Sequence, residues 1–325
     1  MPLKAQELRA LRRALLSWYD ENRRDLPWRR EPDPYRVWVS EIMLQQTRVA
    51  AVLDHYARWM ERFPTVFELA KAREQTVLAL WSGLGYYHRA RRLHQAAKVI
   101  VRERGGQLPQ TAEGWRELPG IGRYTAAAIA SIAFCEPVAV VDGNVQRVLD
   151  RLLGRQESRE VHWRRAEALL DLERPGDFNQ AMMELGATVC TPRAPQCLVC
   201  PLVSWCATRG TGDSEKRDPR KRRQVHYVFA QRNGAVLLVQ RPRDEKRMAG
   251  MWELPEASQG STGKMVAKFR HSITDTDYEV LVVAAPDDGN PRLNGRAQWF
   301  TPPKWQKLAL TGLTRKILRR LAAAT

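Results

Sequence analysis

Long apolar runs are missing from this chain, and Met1 to Arg30 is charged throughout. That excludes a secretory leader or a membrane-spanning helix as the reading of these residues. The expected location is the cytoplasm, on the nucleoid if the source is bacterial, with no membrane partner. Cysteine is scarce. The chain has five in 325 residues, and four of them fall between Cys190 and Cys206. A disulfide scaffold would spread them more evenly, so a reducing compartment and a metal site fit better. Acidic residues are outnumbered, 36 against 53 Lys and Arg, for a formal charge of +17. Such an excess points to a polyanion, and nucleic acid fits better than a membrane surface because no amphipathic anchor accompanies it. Charge alone also suits an ordinary basic enzyme. No internal repeat is visible.

Strand patterns are nearly absent from the first two thirds of the chain. Leu8, Leu11, Leu15 and Trp18 recur at helical spacing, and a Pro- and Arg-rich loop follows through Pro34. Helical periodicity resumes from Tyr35 to about Met60 and returns near 65–72 and 75–82. Gly83-Leu84-Gly85 breaks it ahead of a basic helix that Gly105-Gly106 closes. Further helices are expected over 144–153 and, in two pieces, between Trp163 and Cys190, which makes residues 1–206 all-α. Arg89, Arg91 and Arg92 on the basic helix are expected to face solvent or phosphate. After Cys206 the composition turns small and polar, then strongly basic in Lys216–Arg223, and 207–224 reads as an exposed linker. Short β-rich runs at 226–230, 236–241 and 278–284, with a helical tail from about Thr311, make 225–325 a second, α+β domain.

The stretch Leu118 to Arg147 organises the chain. It opens on the turn Leu118-Pro119-Gly120-Ile121-Gly122, which leads into a helix of small residues and presents free N–H groups suited to phosphate. Asp142 ends an apolar run where a helix N-cap is expected, and the helix dipole there favours the ionised carboxylate. Cys190, Cys197, Cys200 and Cys206 are spaced C-x6-C-x2-C-x5-C. Four thiolates so placed suit a [4Fe–4S] cluster or a structural zinc; one knuckle with unequal flanks favours iron–sulfur. Cys135 reads as a buried small residue.

LPGIG, VDGNVQRV and the cysteine loop together resemble the endonuclease III superfamily of DNA glycosylases. LPWRREPDPYRVWVSEIMLQQTRV (26–49), WSGLGYYHRARRL (81–93) and FNQAMMELGATVC (178–190) resemble, within it, the adenine DNA glycosylases of the MutY family. The resemblance covers residues 1–206 almost without gaps. It implies a mainly α, two-lobed helix-hairpin-helix fold with a [4Fe–4S] loop, followed by a smaller α+β Nudix-like domain. The implied activity is hydrolytic removal of adenine opposite 8-oxoguanine or guanine in double-stranded DNA, by a monomer. Tyr124 stands where bifunctional relatives carry a Schiff-base lysine, so base removal without strand cleavage is expected.

The resemblance also assigns roles. Glu41, in an apolar helical context that raises a carboxyl pKa, would protonate the adenine ring and then activate water. As a bare sequence feature an exposed helix glutamate is the safer reading, and the SEIMLQQT string reverses it. Asp142 would steady the oxocarbenium-like sugar, with a plain N-cap as the other reading, and Tyr124 and Asn144 would orient the two carboxylates. Trp28, Arg29 and Gln180 match pocket positions. Gln46 and Tyr86 match residues that wedge into the base stack, though by composition alone Tyr86 reads equally as ordinary core, and Leu118, Gly120, Ile121 and Gly122 form the DNA-gripping turn. In the second domain LLVQRPRDEKRMAGMWELPE (237–256) is recognisable, but the acidic box that would hold divalent metal is missing. The family's Phe-Ser-His lesion-reading loop is replaced by Ile273-Thr274-Asp275. Thr274 keeps a hydroxyl, while Asp275 offers an acceptor in place of an imidazole donor, and His271 is a candidate substitute. Rival readings are a glycosylase of the superfamily with another base preference, and a non-catalytic iron–sulfur DNA-binding or redox-sensing protein.

Overall fold

The computed structural model describes residues 4–209, 220–245, 248–257, 263–273, 275–285 and 296–322. Helices follow one another as Ala5–Asn22 (α1), Pro27–Arg30 (α2), Pro34–Leu44 (α3), Val49–Arg62 (α4), Val66–Lys71 (α5), Glu74–Trp81 (α6), His88–Arg104 (α7), Ala112–Arg116 (α8), Arg123–Phe134 (α9), Gly143–Leu153 (α10), Arg159–Leu169 (α11) and Pro175–Thr188 (α12). The chain divides into two compact units, residues 1–71 with 92–216, and residues 72–91 with 217–325.

In the first unit, Leu11, Leu15 and Tyr19 repeat along one face of α1 and are buried. They pack with Val145, Val148 and Leu149 of α10, Trp163 of α11, and Phe178, Met182 and Leu185 of α12. Each such aliphatic side chain contributes roughly 1.5–3 kcal/mol by leaving water. Helix α9 is built differently. Ala126, Ala127, Ala128 and Ala130 bury almost no bulk, so α3, α8 and α12 can all pack against it. This close packing brings the chemistry-bearing side chains of three helices together.

The periodicity over Tyr35–Met60 is not one helix. It breaks at Gln45–Arg48, where Gln46 takes a left-handed φ of 55° that no right-handed helix can continue. Both pieces bury a tryptophan, Trp38 and Trp59, which is why the apolar pattern runs through the break. Cys135 is exposed rather than buried, because it is the left-handed C-cap of α9, with φ 57°.

The second unit holds the strands Lys221–Phe229 (β1), Gln231–Arg232 (β2), Ala235–Gln240 (β3), Trp252–Glu253 (β4), Met265–Ile273 (β5), Thr276–Ala284 (β6) and Arg296–Phe300 (β7), then helices Pro302–Trp305 (α13) and Gly312–Ala322 (α14). One sheet has the order β1-β6-β5, with β1 and β6 parallel; the other runs β2-β3-β4 with β7 on β3. Tyr227, Leu238, Trp252, Val280, Val282 and Ile317 are in the shared core. Strand β1 starts inside the run that composition marks as linker. Its first four residues are exposed and lie on an edge strand, where basic side chains are tolerated. Linker residues 210–219 lie outside the described residues.

Residues 72–91 join this unit through specific bonds. The Ser82 hydroxyl donates to the Leu310 carbonyl at 3.1 Å and accepts from Arg315 Nε at 2.7 Å, while the Tyr87 hydroxyl reaches the same carbonyl at 3.3 Å. Gln75 donates to the Gly250 carbonyl at 3.2 Å.

Candidate active site

Helix α3 starts cleanly because Asp33 caps it, accepting from the Arg36 N–H at 2.9 Å. Pro34 occupies the first turn, where its missing N–H costs nothing. Two turns on, Glu41 points inward at 6% exposure. From α9, the Tyr124 hydroxyl donates to Glu41 Oε2 at 2.7 Å and lies 3.2 Å from Met183 Sδ on α12. Burial pushes the Glu41 carboxyl up to about 7, opposed by the Tyr124 hydrogen bond and reinforced by the nearby charge of Asp142. At neutral pH this group can both give and take a proton.

Asp142 is the N-cap of α10. Its Oδ1 accepts from the Val145 N–H at 2.7 Å and its Oδ2 from the Asn144 amide at 2.9 Å. Burial raises its pKa as well, but those donors and Arg147 act against the rise and stabilise the anion. Asn144 is itself held, since Arg147 Nη2 donates to its Oδ1 at 2.9 Å and to the Gly186 carbonyl at 2.6 Å. A Cβ on Gly186 would sit 2.6 Å from Asn144 Cβ, so only glycine lets α12 come this close to the cap.

Trp28 is buried edge-on to Tyr56 at 5.1 Å. Arg29 Nε donates to Gln180 Oε1 at 3.1 Å, and its Nη2 donates to Glu184 Oε2 at 2.9 Å. Glu184 is absent from the residues singled out by sequence. It is 1% exposed and also accepts from Arg24 Nε at 2.6 Å. Burial works against its charge, but the hydrogen bonds and charges of Arg24 and Arg29 outweigh it and hold the carboxyl down at about 2. A signal was present: Glu184 lies among Met182, Met183 and Leu185, an acid in apolar company as Glu41 is, one helical turn from Gln180.

The turn 118–122 joins α8 to α9. Leu118 and Ile121 are buried and anchor it. Gly120 has φ 81°, and a Cβ there would lie 2.5 Å from Arg92 Cβ, so both backbone and space demand glycine. Gly122 is the N-cap of α9 and has no side chain to satisfy the helix donors. Gln46 is exposed at the break between α3 and α4. Tyr86, in the second unit, has φ 47° and is 38% exposed. Arg92 faces solvent, and Arg91 pairs with Glu74 at 3.1 Å and donates to the Ala249 carbonyl. Arg89 departs from expectation. It is 5% exposed, turned under the turn before it rather than towards solvent.

Cys190, Cys197, Cys200 and Cys206 are free thiols lining one cavity with Arg151 and Val189. Arg151 braces it: Nη1 donates to Cys190 Sγ at 3.3 Å and to the Thr191 carbonyl at 2.8 Å. Burial pushes the Cys200 thiol up to about 11, and the other three cysteines add to the rise. Among the described residues no three thiol, imidazole or carboxylate groups are grouped so as to hold a single metal ion.

In the second unit Thr274 lies outside the described residues. Asp275 is exposed, accepts from the Thr276 hydroxyl at 3.0 Å, and has Lys221 Nζ 3.6 Å from its Oδ2. His271 Nδ1 is 3.2 Å from Lys316 Nζ; burial and that ammonium lower its pKa. Among the described residues no helix is long and apolar enough to cross a membrane.

A family model described as the HhH-GPD superfamily of base excision DNA repair proteins matches residues 39–170, the span that holds Glu41, Tyr124 and Asp142. The fold agrees. The solved structure of a thermostable thymine-DNA glycosylase aligns with a TM-score of 0.59 at 28% identity, covering 63% of this chain and 97% of that one. The adenine DNA glycosylase of Mycobacterium tuberculosis (strain ATCC 25618 / H37Rv) is 44% identical over 220 residues, covering 65% of this chain and 72% of that protein. The chain belongs to the adenine DNA glycosylase family. The rat adenine DNA glycosylase is 42% identical over 322 residues; the alignment covers 79% of this chain and 62% of the relative, so the chain spans under two thirds of it.

Proposed function

We propose that the chain hydrolyses the N-glycosidic bond of adenine mispaired with 8-oxoguanine or guanine in double-stranded DNA, and leaves the strand uncut. Glu41 carries this reading, because a carboxyl held near 7 beside a hydrogen-bonding phenol suits a purine that must be protonated to leave. With the base turned out of the stack, Glu41 gives its proton to a ring nitrogen. The C1′–N9 bond breaks with its electron pair on adenine. The positive sugar is stabilised by the Asp142 carboxylate. Glu41, now anionic, takes a proton from the water whose oxygen bonds to C1′, leaving an abasic site. Tyr124 offers no amine, so no imine forms there.

In this reading Cys190, Cys197, Cys200 and Cys206 hold a [4Fe–4S] cluster. Four thiols lining one cavity, spaced as one C-x2-C knuckle with unequal flanks, suit the four corners of such a cluster. A bound cluster would supply a rigid crosslink, and Arg151 ties that loop to α10. Residues 225–325 are read as a Nudix-like domain that meets the opposite base. Gln46 and Tyr86 wedge into the stack, and the 118–122 turn grips phosphate.

A panel of A:8-oxoguanine, A:G, A:C and T:G duplexes tests the activity. Adenine release from the first two, with breaks appearing only after alkali, is expected; processing of T:G alone, or nicks before alkali, would overturn it. Because Asp275 supplies no imidazole donor, the preference for 8-oxoguanine over guanine should be small. The same preparation should contain iron and acid-labile sulfide, and zinc alone would exclude the cluster. Tyr124→Phe tests the proton assignment. Losing the phenol raises the Glu41 pKa, so the alkaline fall of the single-turnover rate should move up by roughly one pH unit. A profile that does not move would remove Tyr124 from this role.

A further inference from the structure

Residues 83–86 form a tight left-handed turn, with φ 117° at Gly83, 72° at Gly85 and 47° at Tyr86. The glycines adopt such angles freely, but a tyrosine is held there only if its surroundings compel it. Arg89 supplies much of that constraint. Its Nη2 donates to the Leu84 carbonyl at 3.1 Å and to the Gly85 carbonyl at 3.2 Å. Its guanidinium carbon lies 5.1 Å from the Trp81 ring centre and 5.5 Å from that of Tyr86. Trp81 Nε1 adds a bond to the Gly85 carbonyl at 2.9 Å, and the Arg89 N–H caps the Tyr86 carbonyl at 2.9 Å.

We propose that Arg89 is a positioning residue for Tyr86, its buried guanidinium fixing the left-handed turn that presents the exposed phenol ring as a wedge. A guanidinium at 5% exposure has little surface to offer a phosphate, whereas its plane can serve two carbonyls and two aromatic faces at once. A lysine ammonium cannot reproduce that planar fork. Its part in base turning rests on the wedge role given to Tyr86 above; its grip on the ring does not.

Two measurements separate those claims. The full chain is labelled with 3-fluorotyrosine, and the Tyr86 signal among the eight tyrosines is assigned by its loss in Tyr86→Phe. In Arg89→Lys that signal should shift or broaden while the others stay in place. An unmoved signal overturns the proposal. Single-turnover excision is then compared on an intact A:8-oxoguanine duplex and on one with an abasic site at the neighbouring step, where stacking no longer resists opening. Arg89→Lys should be roughly tenfold slower on the intact duplex, the scale of one base–aromatic stack, and should recover most of that loss on the relaxed one; Tyr86→Ala should show the same dependence on the duplex. Equal slowing of Arg89→Lys on both duplexes counts against the proposal. If Tyr86→Ala shows no duplex dependence while the fluorine signal moves in Arg89→Lys, the positioning role stands and the wedge reading falls.

Discussion

Replacing Glu41 with glutamine should slow single-turnover adenine excision by about a thousandfold while making the folded protein more stable. The kinetic loss follows from the proton. Glutamine keeps the shape and can still accept from Tyr124, but it has no acidic hydrogen for the departing base, and general acid–base groups are worth roughly 10² to 10⁴ in rate. The stability gain follows from burial. The Glu41 carboxyl titrates at about 7 in the fold, against an ordinary 4.5. A buried acid whose pKa is raised contributes its stability below pH 4.5 and loses it as pH climbs through 7. At pH 8 the unchanged protein therefore carries a penalty of up to about 3 kcal/mol that the glutamine variant escapes. Denaturant unfolding at pH 5 and pH 8 should show the two proteins closer at the lower value. An excision rate that survives the substitution would remove Glu41 from the chemistry.

Glu184→Ala should cost about 3–5 kcal/mol of stability at pH 7, the scale of leaving buried charge unpaired. Arg29 would lose a 2.9 Å partner in a site that is nearly closed to water, while Arg24, more exposed, can turn to solvent and contributes less. The pH dependence has the opposite sense to that of Glu41. Here the folded pKa, about 2, lies below the ordinary 4.5. The stabilisation is therefore fully present above 4.5 and disappears as pH falls from there towards 2. Urea midpoints of the wild type and Glu184→Gln should converge across that window. Parallel curves down to pH 2.5 would show that the carboxylate is not what Arg24 and Arg29 need.

Contiguous motifs were legible in sequence because their physics is local. LPGIG, VDGN and the cysteine spacing each need a turn, a cap or a set of ligands within a few residues. Cross-chain pairings were not. Glu184 meets Arg24 and Arg29 across more than 150 residues; Arg89 does lie within eight positions of its rings, Trp81 and Tyr86, but its place on a basic helix reads as solvent-facing. Gln46 interrupts a helix without glycine or proline, so the apolar period passed over it unbroken. Strand β1 begins among Lys221, Arg222 and Arg223 because an exposed sheet edge accepts charge that composition assigns to a loop. β5 escaped because its Lys268 and Arg270 interrupt the apolar pattern.

The bonds from Ser82 and Tyr87 to Leu310 mean that order along the chain and physical modularity do not coincide. A fragment ending near Cys206, the seam that composition suggests, would keep α6 and the Tyr86 turn but lose Leu310 and Arg315. The Ser82 and Tyr87 hydroxyls, 3.2 Å apart, would keep each other but lose the carbonyl and guanidinium that hold this turn to the second unit. The motif strings of the first two hundred residues are thus one continuous segment, while the flanks of the Tyr86 turn bond to residues encoded more than two hundred positions later. Shuffling or truncating genes at the linker would cut that turn off from the residues that hold its flanks.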